Sequence, residues 1–275
     1  MEKMTRSIAL GFVIYNPEDS FLSRVRMAIE SGFDVYVFDN SPERRSLGGF
    51  ADGEGKIKYL TCGKNHGLGL GISALCAQAY YEKHSALVFF DQDSVFNEKT
   101  LSFIEKFYVG HPELGGTHSA VVFNASRGNQ EKERDCFKNV PLAINSGSLF
   151  FLNNLKTLNW HSESYFVDGV DYEFCLRSRM NGFKIGEYSC TPGFDHSTEQ
   201  ADKRYKIFGR TYAMRAYAFS RILDVSISSF KLILSALIGG AIKFAFRIVR
   251  LWIIYLVVQV LVRLLNLIDR CKNTK

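Results

Sequence analysis

Two carboxylates one residue apart close an apolar run in Phe89-Phe90-Asp91-Gln92-Asp93-Ser94, and their type and spacing define a chemistry. A strand over Ala86 to Phe90 delivers alternate side chains to one side, so Asp91 and Asp93 can face a common ligand. Hard oxygen donors so placed suit a divalent cation, Mg2+ or Mn2+, which in turn can clamp a diphosphate. Asp, Gln and Ser also end strands in ordinary turns, so the triplet alone leaves both readings open.

The elements that must position this pair form an alternating pattern of apolar strands and helical stretches, the signature of a mostly parallel α/β sheet. Ile8 to Tyr15 reads as a first strand, and Phe21 to Ser31 has helical spacing. Asp34 to Asp39 is a second strand ending in a carboxylate, Ile57 to Leu60 a third, and Gly71 to Lys83 a helix. Ligands of open α/β sheets bind outside the carboxyl ends of the strands, where Asn16, Asp39 and Asp91 all fall. Further along, Thr100 to Phe107 is helical, His118 to Phe123 extended, and Val170 to Asn181 a helix closed by Gly182. Acids in the first turn of that last helix also suit its dipole without any further role.

Between the third strand and its helix lies Gly63-Lys64-Asn65-His66-Gly67-Leu68-Gly69-Leu70-Gly71. A glycine-rich turn ahead of a helix lets backbone approach a phosphate or sugar closely. The spacing matches neither the dinucleotide fingerprint nor a P-loop, because no Lys-Ser/Thr follows and the glycines recur every second residue.

In 275 residues, 47% hydrophobic and 23% charged, there is enough apolar material for one sizeable core plus an appended module, which excludes a disordered chain. The net charge of +6 is concentrated late: from Lys203 onward Lys and Arg far outnumber Asp224 and Asp269. Lys243, Arg247 and Arg250 share one helical face among aliphatic and aromatic neighbours. The apolar runs Leu232 to Ile242 and Leu251 to Val262 each fall short of the roughly 18 to 20 residues a spanning helix needs. This pattern predicts amphipathic helices lying in an anionic membrane interface, and its Leu, Ile and Val suit lipid better than nucleic acid. A basic helical hairpin packed on protein is the alternative. The six cysteines show no metal-like spacing and are expected as reduced thiols. The short apolar run after Arg6 leads into Asn16-Pro17 without a cleavage pattern, so a buried strand is expected there, not a signal peptide.

Taken in order, Val13-Ile14-Tyr15-Asn16-Pro17, Phe38-Asp39-Asn40-Ser41, Asn65-His66-Gly67-Leu68-Gly69, Phe90-Asp91-Gln92-Asp93-Ser94, Ser146-Gly147 and Val170-Asp171-Tyr172-Glu173-Phe174-Cys175-Leu176-Arg177 resemble glycosyltransferase family 2. The Asp-Gln-Asp-Ser and Val-Asp-x-Glu-aromatic-Cys-x-Arg forms are similar to its bacterial rhamnosyltransferase branch. The resemblance runs from about Ile8 to about His196.

It implies a GT-A fold, placed over residues 1–225 ahead of the membrane-associating helical tail that the charge and apolar pattern predicts over 226–275. It further implies a nucleotide-sugar donor, a divalent metal and inversion at the anomeric carbon. By resemblance, Asn16, Asp39, Asn65, Gly67, Asp91 and Gln92 line the donor site. Asp93 and His196 hold the metal, and Ser146 and Gly147 form the loop bordering donor sugar and acceptor. Asp171 is the expected base and Glu173 an organiser of the acceptor side.

The reaction so implied moves L-rhamnose from dTDP-rhamnose onto a lipid-linked glycan at the cytoplasmic face of a bacterial inner membrane, in O-antigen or capsule synthesis. UDP-galactofuranose, UDP-galactose or UDP-glucose are alternative donors. A non-catalytic membrane- or nucleic-acid-binding protein is the alternative class. No nucleic acid is expected as partner, and self-association is left open. The chain departs from relatives at Ser73, where they often carry Asn, and over Tyr205 to Tyr212, which lacks an Arg-Asn pair and leaves Arg210 and Arg215 without an assigned role.

Overall fold

A computed structural model describes residues 7–42, 56–125, 136–194, 203–207 and 209–273. Two compact units divide the chain, Met1–Ser197 and Thr198–Lys275, a boundary earlier than the one expected near residue 225.

In the first unit an eight-stranded sheet comprises β1 (Ile8–Ile14), β2 (Asp34–Asp39), β3 (Ile57–Thr61), β4 (Ala86–Asp91), β5 (His118–Ala125), β6 (Phe137–Asn139), β7 (Ser148–Phe151) and β8 (Lys184–Thr191). Their spatial order is β3-β2-β1-β4-β7-β5-β8-β6. The first four are mutually parallel, β7 runs antiparallel to both β4 and β5, and β5 pairs parallel with β8.

Helices α1 (Ser20–Glu30), α2 (Leu68–Tyr81), α3 (Glu98–Gly110), α4 (Leu152–Thr157) and α5 (Val170–Met180) follow in chain order. Alternate residues of the buried strands feed opposite faces. Ile8, Leu10, Phe12 and Ile14 of β1 join Phe21, Val25 and Ala28 of α1 and Leu101 and Ile104 of α3 in one core. On the other face α2 crosses β1, β2 and β4, brought close because Gly71 leaves room for the side chains of Val13 and Phe38.

The order β3-β2-β1-β4 places the reversal of winding between β1 and β4. That reversal is where an open α/β sheet splays its loops into a ligand crevice. The carboxyl ends meeting there carry Asn16 and Asp91.

Expectation and structure part at two places in this unit. Cys136 and Cys190, 54 residues apart, are joined as a disulfide, where reduced thiols were expected. The antiparallel pairing of β6 with β8, with Ser189 donating to the Cys136 carbonyl at 2.9 Å, brings the two thiols opposite each other. Cys62, Cys76 and Cys175 are free, and burial pushes the Cys175 thiol up to about 12. The alternation of β4 also stops at Asp91, because Ser94 donates to the Asp91 carbonyl at 3.1 Å and closes a turn.

The second unit comprises an antiparallel hairpin, β9 (Lys203–Ile207) and β10 (Arg210–Met214), and two helices, α6 (Phe219–Ile238) and α7 (Ile242–Asn273). Gly239 and Gly240 separate the helices, and Gly240 takes a positive φ of 72°. The two apolar runs expected as short separate pieces are parts of this pair: α7 alone is 32 residues, and its stretch Ile242–Ile268 is long and apolar enough to cross a membrane.

Candidate active site

Asp91 sits at the last position of β4. Its backbone N–H donates to Ser146 Oγ at 3.1 Å, and Ser146 Oγ also lies 2.7 Å from Ser94 Oγ. Burial pushes the Asp91 carboxyl up to about 7, followed by repulsion from Asp171 and then Asp93, while a hydrogen bond with Ser146 opposes the shift.

Asp171 enters from the first turn of α5, eighty residues along the chain. Its Oδ1 accepts the Asn145 N–H at 3.1 Å. Burial raises its carboxyl to about 6, with the Asn145 bonds opposing and Asp168 adding. Two carboxylates from separate elements thus stand in each other's field around the 145–147 loop.

That loop is tightly held. Gly147 has φ 78°, and a Cβ there would meet the Phe123 carbonyl at 2.6 Å. Its N–H donates to the Phe89 carbonyl at 2.8 Å, and its own carbonyl accepts from Phe123 at 2.9 Å. Glycine is required for the conformation and for the contact.

Asp93 lies outside β4, exposed on the turn. Gln92 does not reach out beside it: its Oε1 accepts the Tyr15 N–H at 2.7 Å and its Nε2 donates to the Tyr15 carbonyl at 3.3 Å, which ties the ends of β4 and β1 together. Its carbonyl accepts from Arg24 Nη2 of α1, a residue that sequence reasoning missed.

At the end of β2, Asp39 is buried. One oxygen accepts the Ser41 N–H at 2.7 Å and the other the Tyr59 hydroxyl of β3. Asn16 takes a left-handed φ of 45°, its N–H donating to Ser41 Oγ at 2.8 Å. Asp39 therefore organises the rim that Asn16 forms, and Tyr59 and Ser41 join the set read from the sequence.

The glycine turn corrects an expectation. Gly67 and Gly69 do allow close approach, but to the chain's own backbone: a Cβ on Gly67 would lie 2.3 Å from the Phe166 carbonyl, and one on Gly69 2.4 Å from that of Ser162. Leu68 N–H, at the start of α2, donates to the Phe166 carbonyl at 2.5 Å, so this helix end is occupied. Asn65 accepts the Gly67 N–H at 2.9 Å within the turn, and Asn40 clamps it by donating to the Gly67 carbonyl at 3.0 Å and accepting the His66 N–H at 3.0 Å. The turn supports the crevice wall through Asn40, the neighbour of Asp39.

Glu173 faces away from Asp171. It forms a two-point ion pair with Arg177, Nε to Oε1 at 2.5 Å and Nη2 to Oε2 at 3.1 Å. Arg177 also holds the carbonyls of Leu158 and Trp160, where Asn159 and Trp160 take left-handed φ values of 58° and 63°. A cavity of about 430 Å³ opens beside this brace, lined among others by Ser73, Trp160, Glu173 and Arg177. Next to it His161 is buried in a stack on Phe174, and burial, then Arg177, pushes its imidazole down to about 3, so it packs as a neutral ring.

His196 lies outside the described residues. No group of three His, Cys, Asp or Glu that could hold a metal occurs among those described.

Among solved structures, the chain is similar to Staphylococcus aureus TarS residues 1–349, with a TM-score of 0.51 and 16% identity over 82% of this chain and 65% of that one. Against the same TarS fragment in complex with UDP-GlcNAc, the TM-score is 0.52 at 15% identity, covering 82% and 66%. A longer TarS structure matches at 0.51 and 16%, of which 39% is covered. The fold is that of the GT-A glycosyltransferases. This chain spans just under two thirds of the shorter TarS chain. It matches no protein-family profile and no curated protein.

Proposed function

We propose that this protein is an inverting glycosyltransferase that takes a sugar from a nucleotide-sugar donor, L-rhamnose from dTDP-rhamnose, and passes it to a lipid-linked glycan. The observation that carries this reading is the meeting of Asp91 and Asp171 across the 145–147 loop at the β1–β4 switch point.

Inverting transfer needs one base to take the acceptor hydroxyl's proton while the anomeric carbon is attacked from the face opposite the leaving nucleotide. Asp171, raised to about 6, is ionised near neutral pH yet basic enough to accept that proton. The hydrogen bond from Asn145 orients its carboxylate. Asp91 and the Asn16–Asp39 rim bind the nucleotide side.

The donor set fits a hard divalent cation: Asp93 is exposed beside the half-buried Asp91, whose charge repels that of Asp171. Asp93 would hold Mg2+ or Mn2+ with Asp91 behind it. Such an ion supplies electrostatic stabilisation to a departing diphosphate.

A UDP-sugar donor is the second reading, supported by the UDP-GlcNAc complex of the structurally similar TarS. Thermal shift with a panel of nucleotide sugars separates the two, since the true donor stabilises the fold by mass action. Release of dTDP from dTDP-rhamnose with Mn2+ and a lipid-linked acceptor is the expected result. Stabilisation by no nucleotide sugar at all would sink the reading.

The reading includes one-sided attachment to the cytoplasmic face of a membrane, and the apolar surface of the second unit supports the attachment. Phe219, Leu223, Ile227, Phe230, Leu234 and Leu237 are exposed at intervals of three or four along α6, as are Ile253, Val257, Val260, Leu264 and Leu267 along α7. Though α7 is long enough to cross, its uncharged stretch Leu251 to Val262 rises only about 18 Å, against about 30 Å of hydrocarbon.

Its other face is committed to protein. Gln259 bonds the Tyr217 N–H at 3.0 Å and the Arg215 carbonyl at 3.1 Å, and Asn266 accepts from the Tyr205 hydroxyl of β9 at 2.8 Å. Crossing would carry a two-stranded hairpin with unpaired edges into lipid, which hydrocarbon does not tolerate. The helices therefore lie in one leaflet's interface, with Lys243, Arg247 and Arg250 toward anionic headgroups.

A further inference from the structure

We propose that Arg24, on α1, is the cation that meets the donor's diphosphate beside Asp93. This rests on the nucleotide-sugar reading above and names the recognising group on its phosphate side.

The Asp91-Gln92-Asp93 turn is gripped from three directions. Ser146 takes the Asp91 N–H, the Tyr15 backbone takes the Gln92 amide at both of its atoms, and Arg24 Nη2 takes the Gln92 carbonyl. The first two contacts engage neutral groups with neutral partners. The third brings a full positive charge to the turn, although a neutral donor would satisfy a carbonyl equally well.

That charge is not spent in an ion pair. The carboxylates acting on Arg24 are Asp93 and Glu18, neither within salt-bridge distance, and burial works against the charged form. The guanidinium is half-buried 6.0 Å from the Phe21 ring centroid, and its Nε–H is buried with no hydrogen-bond partner. The unmatched Nε–H leaves part of the hydrogen-bonding capacity of this charged group unfilled within the protein. Arginine presents its N–H groups in a fork that matches phosphate oxygens at two points.

The position is also right for the ligand. Arg24 reaches the carboxyl end of β4 at the β1–β4 switch point through the carbonyl of Gln92, which precedes Asp93 and also holds Tyr15, so these contacts run from Tyr15, the neighbour of Asn16 in the proposed nucleoside rim, to Asp93 at the proposed cation position. The diphosphate must span that interval. Arg210 and Arg215, the basic residues noted in the sequence, belong to the other compact unit.

The test uses the full chain and three probes, UDP, dTDP and the corresponding nucleosides, titrated calorimetrically into wild type, Arg24→Gln and Arg24→Lys with Mn2+ present. Arg24→Gln is expected to weaken diphosphate binding about tenfold or more, the scale of one lost charge-assisted hydrogen bond. Nucleoside binding should be unchanged, and Arg24→Lys should recover part of the loss.

Equal weakening of nucleoside and diphosphate would show that Arg24 only holds the turn in shape, and unaltered diphosphate binding would show that it does nothing there. Either outcome overturns the proposal. Wild type that binds neither diphosphate would instead remove the nucleotide-sugar reading itself. If Arg24→Gln melts well below wild type, Arg24→Lys decides: diphosphate affinity with Lys no better than with Gln, in a stably folded protein, refutes the charge role.

Discussion

Replacing Asp171 by Asn separates catalysis from stability at one atom. Asn has the same shape and keeps an oxygen that can accept the Asn145 N–H. What disappears is a carboxylate that the fold holds at about 6, from an ordinary 3.8. At 1.36 kcal/mol per pKa unit, the folded state gives up as much as about 3 kcal/mol to keep that group ionised at neutral pH. Asp171 is also the largest charge acting on Asp91, so the Asp91 value should fall when it is neutralised.

The sign of the pH dependence follows. Asp91 and Asp171 both bind protons more tightly folded than unfolded, so from about pH 4 upward the folded chain holds the extra protons. Their contribution to stability is fully present below about pH 4 and is lost as pH rises through the folded values of about 6 and about 7. Asp171→Asn should therefore melt higher than wild type at pH 7.5 without nucleotide or metal, by a margin on the order of 1–3 kcal/mol, and should flatten the fall in melting temperature between pH 4 and 7.

Turnover at saturating donor should drop about a hundredfold to ten-thousandfold, the range for loss of a general base. A merely structural Asp171 would give lower stability together with lower activity. Turnover near that of wild type would remove it as the base. Either result refutes the argument.

The remaining predictions test other parts of the structure. In the wild type, kcat/KM should rise with pH through the Asp171 value of about 6 and then level off, a profile read from initial rates between pH 5 and 8.5. Gly69→Ala would set a methyl 2.4 Å from the Ser162 carbonyl and 2.6 Å from that of Tyr165, costing about 1–3 kcal/mol as overpacking in a urea titration. Cys136→Ser opens a loop of 54 residues and should cost about 2–4 kcal/mol; added reductant should lower the melting temperature of wild type but not of the variant. Val257→Lys on the exposed stripe of α7 should abolish flotation with vesicles containing anionic lipid and leave turnover of a soluble acceptor analogue intact.

Much of the first unit was legible because parallel strands buried on both faces read as continuous apolar runs. β1, β2 and β4 fall where Ile8–Tyr15, Asp34–Asp39 and Ala86–Phe90 announce them, and Asn16, Asp39 and Asp91 stand at their carboxyl ends. What sequence withheld is the identity of each group's neighbour. Gly67 and Gly69 declare that something comes close, but not that it is the backbone of Ser162 and Phe166. Cys136 and Cys190 have no spacing that signals pairing, because β6 and β8 become neighbours only once the sheet is assembled. The charges of Lys243, Arg247 and Arg250 split the apolar run on paper, while helical hydrogen bonding continues past them and leaves α7 unbroken.

The Asp91–Asp93 pair shows why a turn and a site are not competing explanations. Had β4 continued, alternation would have presented both carboxylates to one side at similar depth. Instead the hydrogen bond from Ser94 N–H to the Asp91 carbonyl ends the strand between them, and the two diverge. Asp91 stays half-buried, raised to about 7 and within the field of Asp171, while Asp93 is carried out to solvent. Gln92, between them, spends its amide on Tyr15 and its carbonyl on Arg24, so the residue at the apex locks the separation. One turn thereby produces two carboxylates of unlike environment, the condition under which neighbouring carboxyl groups can take separate roles.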